Sequence, residues 1–154
     1  MTSVPAFHVS SQSKVQGRGQ VFIASRQDSA STGVFTVAVD VHFDPIADAY
    51  PTGSVRIAVN MSDSLKGTFA STSVELVNSH GKHNPTVFFA GRCKASNERA
   101  PKGLRYWVMI ADNASEGRDG ATDIVGFVIH DRKGNRVAYG TGPLKSGSIR
   151  VEPN

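Results

Sequence analysis

Five carboxyl or amide side chains fall within twelve positions: Asp112, Asn113, Glu116, Asp119 and Asp123. Carboxylates, an amide and free loop carbonyls are the donors that Ca²⁺ takes, six to eight at a time. These five are the candidate metal ligands, with Ca²⁺ as the cofactor they would hold. The spacing differs from an EF-hand, which sets acidic or amide groups at alternate positions and closes on a Glu. Arg118 also brings a positive charge into the loop. The alternative is a connection in which Asp112 and Asn113 bond nearby backbone amides and Arg118 pairs with a carboxylate. A second chemistry for the same group is a pair of carboxyls across a cleft, as glycosidases use, with Tyr106 or Trp107 stacking on a sugar. A lone Trp in an alternating strand is more often core, because aromatics bury a large area. No residue is assigned a catalytic role, and the reading leans away from an enzyme.

The remaining chemistry-bearing residues are dispersed. His8, His42, His80, His83 and His130 show no ligand spacing, and His80 with His83 sits in a turn rather than on a helix face. Cys93 is the only cysteine, so it forms no intrachain disulfide and reads as a small buried hydrophobe. Gly17-Arg18-Gly19 lacks the third glycine and the helix of a nucleotide fingerprint, and no Gly-x-Ser-x-Gly elbow is present.

The segments that must position these residues are strands. Leu104, Tyr106, Val108 and Ile110 alternate before the acidic connection; Val125, Phe127 and Ile129 alternate after it. Period-two alternation gives half-buried strands on both sides of a connection too polar to bury. The clearest strand is 33–43, with Phe35, Val37, Val39, Val41 and Phe43 on one face and Thr36, Ala38, Asp40 and His42 on the other. Its five apolar side chains are worth on the order of 10 kcal/mol of burial before entropy. Further strands are expected over 15–26, 54–61, 68–78 (weakly patterned, with room for a bulge), 86–94, 136–140 and 148–151. Residues 86–94 are apolar on both faces near their start, which suits a central or covered strand. Trp107 and Met109 share a face with Arg105, which suggests that this face is covered too. Turn-forming residues separate the strands, and no window shows helical periodicity. The expected fold is all-β: a single antiparallel β-sandwich or flattened β-barrel of about nine short strands over 15–154, preceded by a loose Ser-rich arm at 1–14.

A chain of 154 residues with 39% hydrophobic and 19% charged residues can build one core. The formal net charge of +4 comes from scattered residues, the longest charged cluster being Asp131-Arg132-Lys133. A nucleic-acid binder concentrates its charge on a face or stripe, so no nucleic acid is expected. No apolar run is long enough to span a membrane, and 1–14 has no basic-then-apolar signal pattern. The location is left open between the cytoplasm and a protein whose leader has been removed.

Four short segments, in order, carry a family resemblance. They are Gly17-Arg18-Gly19, Phe89-Ala90-Gly91-Arg92-Cys93, the run from Asp112 to Asp119, and Gly142-Pro143-Leu144-Lys145-Ser146-Gly147-Ser148-Ile149. The chain resembles a β-rich domain of bacterial secreted and surface proteins, the post-choice-of-anchor type. It departs at Ala114-Ser115, at Gly120-Ala121-Thr122 and at Ser146. The resemblance implies a non-catalytic module, mostly secreted or surface-exposed. The expected function is binding or structural, toward a protein, glycan or cell-envelope component, with self-association through strand edges as a further route. The alternative is a small barrel that binds or converts an apolar molecule in an interior pocket.

Overall fold

A computed structural model describes residues 13–24, 32–44, 46–80, 86–113 and 122–153. Nine strands follow in order: β1 (Ser13–Ile23), β2 (Gly33–Phe43), β3 (Thr52–Met61), β4 (Gly67–Ser71), β5 (Leu76–His80), β6 (Thr86–Ala95), β7 (Leu104–Ala111), β8 (Ile124–His130) and β9 (Arg136–Pro153). No helix occurs among the described residues. All pairings are antiparallel, in the order β4-β3-β2-β1-β9-β8-β7-β6-β5; consecutive strands pair except β4 with β5, and the first strand pairs with the last. A further β4–β6 pairing closes eight of them into a barrel, with β5 as an extra strand. Short connections favour this meander, because adjacent strands can pair only through hairpins. The barrel, rather than the sandwich, is therefore the architecture.

Two strand assignments change. The segment 68–78 is not one strand: β4 pairs with the end of β6, and β5 pairs with its start. Between them the chain dips inward and buries Val74. The Ser73 carbonyl turned in by this dip accepts a 2.8 Å hydrogen bond from the Tyr106 hydroxyl. Burial pushes the Tyr106 hydroxyl well above its ordinary pKa, with Cys93 and then Glu75 adding to the rise, so it remains a donor. Conversely, 136–140 and 148–151 belong to a single strand. β9 pairs with β8 through Pro143, then with β1 from Leu144 onward. Lys145 is the extra residue where the β1 register shifts. Gly147, at φ +88°, completes the change of direction, and a side chain there would meet the Arg18 carbonyl of β1. The first strand likewise starts at Ser13, inside the stretch expected to be an arm; residues 1–12 lie outside the described set.

Eight strands enclose a bore that side chains alone can fill. The inward row of β2 supplies Phe35, Val37, Val39 and Val41, all buried. Phe69, Phe89, Tyr106 and Phe127 enter from other strands. Phe35 reaches across β1 and β9 to Phe127, ring centroids 4.7 Å apart and edge to face. Gly140 makes that contact feasible. It is paired with Phe127 on the next strand, and a side chain on it would strike the Phe35 ring. Opposite walls thus close onto a glycine, and the barrel is flattened there. Among the described residues, no buried side-chain nitrogen or oxygen lacks a hydrogen-bond partner.

The β8–β9 turn is organised by Asp131. Its Oδ1 accepts from the amides of Lys133 at 2.9 Å and Asn135 at 3.0 Å, and Gly134 takes φ +85°. The Asn135 amide bond is the main cause that holds the Asp131 carboxyl below its ordinary value of 3.8. Because the folded-state value is depressed, the turn's contribution to stability is present above the ordinary carboxylate range. It is lost as pH falls through the lowered value. In an NMR titration the Asn135 amide proton will therefore shift with a midpoint below 3.8. A midpoint at or above that value would show that these bonds do not favour the carboxylate.

Candidate functional site

The two ends of the acidic connection are placed by the barrel. Asp112 follows β7 and Asp123 precedes β8, and both are buried, at 3% and 4% exposure. Asp112 Oδ2 accepts the Val151 amide at 2.9 Å, and Asp123 Oδ2 accepts the Ile149 amide at 3.4 Å. The Asp123 carbonyl also accepts the Leu144 amide at 2.9 Å. The reason lies in the change of partner along β9. Beyond Pro143 this strand loses β8 on one side, and its amides there would face a buried edge without acceptors. The carboxylates take the place of the missing strand's carbonyls.

Asn113 donates to the Thr122 carbonyl at 3.0 Å and so ties the two ends of the connection together. Glu116 and Asp119, the other two candidate ligands, lie outside the described residues. Among the described residues, no group of three or more His, Cys, Asp or Glu side chains could hold a metal ion. Asp112 and Asp123 sit at the connection's ends as the ligand set requires, but both carboxylates already bind backbone amides.

The histidines are separated by the fold. His42 on β2 lies 3.7 Å from Asp48, and His130 at the end of β8 lies 3.0 Å from the Asp131 carbonyl. His8, His83 and the His80 side chain are outside the described set. Cys93 faces inward at 8% exposure, and burial pushes its thiol up to about 11, which leaves it protonated and a poor nucleophile near neutral pH.

The distinctive surface is the outer face of β6 to β9. Tyr106 is inside the barrel, but Trp107 points out, 39% exposed. The expectation of a core Trp on a covered face fails, because no described element packs over β7. Outward positions run in register across four strands. One row is Arg92, Arg105, His130 and Arg136. The next, two residues along each of β6, β7 and β8, is Ala90, Trp107, Val128 and Tyr139. Phe88, on the following row, packs against Trp107 with centroids 5.7 Å apart. This explains the apolar outer positions of β6: Phe88 belongs to an aromatic group on the surface, not to a second core. The Arg136 guanidinium lies 4.1 Å over the Tyr139 ring. Glu75 holds Arg105 at 2.8 Å and Arg92 at 3.3 Å. Leu76 of β5, paired with Ala90, extends the apolar row and is 55% exposed.

The opposite wall differs. The outward residues of β1 to β3 include Arg18, Thr36, Ala38, Asp40, Ser54 and Arg56, which line a shallow depression of about 590 Å³ without an aromatic ring. Period-two reading put Thr36, Ala38 and Asp40 on one face and Trp107 with Arg105 on another, but did not say which face a second layer would cover. Compared with family models, curated proteins and solved structures, the chain matches none of them.

Proposed function

We propose that this protein is a non-catalytic recognition module that engages its partner on the outer face of β6 to β9. One observation carries the reading: Trp107, Phe88, Tyr139 and Leu76 form an apolar group on the outside of a barrel whose interior is packed by its own aromatic rings. Exposing a Trp to water forfeits burial worth roughly 2–3 kcal/mol, and such anchors gather where partners bind. The resemblance to a surface-protein domain is in keeping with this role.

The test uses Trp107 as its own reporter, since it is the only Trp in the chain. Immobilised glycans, peptides and oligonucleotides are screened with the wild type and with Trp107→Ser. A ligand retained by the wild type and lost by a folded Trp107→Ser supports the reading. If every retained ligand is held equally by both proteins, the outer face is not the binding surface. If an apolar small molecule raises the melting temperature without altering Trp107 emission, the interior-pocket alternative replaces this reading.

A further inference from the structure

From the same face we infer a partner class: the cationic row and the aromatic row beside it bind single-stranded nucleic acid. The inference rests on the outer face being the recognition surface, and it adds the chemistry of the ligand. Read along the chain, the basic residues are scattered and gave no sign of nucleic acid. The fold gathers them. Arg92, Arg105 and Arg136 lie on one row, with His130 between the last two. At the same end of the barrel stand Lys94, Arg99 and Lys102 of the β6–β7 region and Arg132 and Lys133 of the β8–β9 turn. The two connections touch: the Arg132 side chain lies directly against Gly103. With Lys66 and Asp63 of the β3–β4 turn, which bonds to β9 at this end, nine lysines and arginines stand with four acids, Asp63, Glu75, Glu98 and Asp131. The local excess of five exceeds the whole chain's formal +4.

Charge alone would suit any polyanion. The neighbouring row narrows the choice. Trp107 and Tyr139 stand next to the arginines on a continuous sheet, and Arg136 already stacks on the Tyr139 ring. Rows two residues apart are separated by roughly 7 Å, and four strands span roughly 14 Å. A single strand laid across the sheet can therefore place phosphates on the cationic row while unstacked bases lie on the rings. Sheets with surface aromatics bind single strands in this way, and the stacking tolerates any base. A duplex hides its base faces and cannot use the rings. A sulfated glycan offers charge but no aromatic face.

The probe is a fluorescein-labelled 20-mer of thymidine, followed by anisotropy at 50 and 200 mM salt with the whole protein. Binding at low salt is expected in the range of about 1–100 μM, weakening roughly 50-fold at 200 mM if about four phosphates are neutralised. Trp107 emission should fall on binding. Trp107→Ala should weaken binding about 5- to 150-fold, as expected for loss of one stacked base. Arg105→Gln with Arg136→Gln should weaken it and flatten the salt dependence. Arg56→Gln, on the opposite wall, should leave it unchanged. Melting temperatures near the wild type's show that the variants are folded. Absence of binding at 50 mM salt up to 100 μM protein would overturn the inference, as would binding indifferent to Trp107→Ala. Equal affinity for a duplex or for heparin, with Trp107 emission unchanged, would also overturn it by reducing the face to a general anion site. If the oligonucleotide fails while another ligand in the screen depends on Trp107, only the nucleic-acid inference falls. If no ligand depends on Trp107, the recognition face falls with it.

Discussion

Phe127→Ala will lower the unfolding free energy by about 3–5 kcal/mol, the cost of emptying a large aromatic site that cannot collapse. The site is rigid for reasons already visible. Phe127 is 1% exposed and touches Phe35 from across the barrel, and its partner on β9 is Gly140, which has no side chain to move into the space. For a chain of this length the loss corresponds to a fall of roughly 6–20 °C in melting temperature. Thermal unfolding followed by circular dichroism measures it. A fall of under about 2 °C would mean that the interior relaxes around the vacancy, and the description of a filled, flattened bore would be wrong. Gly140 itself separates packing from backbone effects, since Gly140→Val places its methyl groups on the Phe35 ring and should cost about 1–3 kcal/mol by overpacking.

Asp112→Ala will cost about 2–3 kcal/mol, because a charge-assisted hydrogen bond is lost and the Val151 amide is left buried without this acceptor. Asp112→Asn keeps an oxygen at the same position and should recover much of the loss. The pair of variants also bears on the calcium reading of the 112–123 connection. If the carboxylate serves only to hold β9, millimolar Ca²⁺ will leave the melting temperature of the wild type unchanged relative to EDTA. If it is a ligand as well, Ca²⁺ will raise the wild-type midpoint by mass action, and Asp112→Asn will reduce that rise. Equal stability of Asp112→Ala and wild type would remove the structural role proposed for this side chain.

Strand content and facing were legible in the residues, because alternation is a local property. Phe35 to Val41 and Leu104 to Ile110 could be assigned inward from spacing alone, and they are inward. What the residues did not reveal depends on partners far away in the chain. Gly142, Pro143 and Gly147 look like a break between two strands. Only the presence of β1 on one side and β8 on the other turns them into one strand that changes neighbours. The dip between β4 and β5 was visible as weak patterning, but the donor its carbonyl meets, the Tyr106 hydroxyl, is 33 positions away from Ser73. The acidic connection was legible as a cluster of oxygen donors. That Asp112 and Asp123 would satisfy β9 amides required knowing that β9 outruns β8. Trp107 was misplaced because burial of one sheet face says nothing about the other. The cationic row escaped notice because Arg92, Arg105 and Arg136 are neighbours only across strands.

Closure of the barrel by β1 and β9 has a consequence for how the chain reaches this state. Apart from the β4–β6 wall, which steps over β5, every other wall is a hairpin of consecutive strands that can form early and cheaply. The last wall brings Ser13 opposite Pro153, and it must wait until the final strand has emerged and found the first. Contacts of such long range make folding slow, on the millisecond-to-second scale of β-barrels. Throughout that interval β1 and the second half of β9 present unpaired edges, free to pair with another chain instead. Folding yield should therefore depend on protein concentration, while the finished barrel, with these edges sealed against each other, should not.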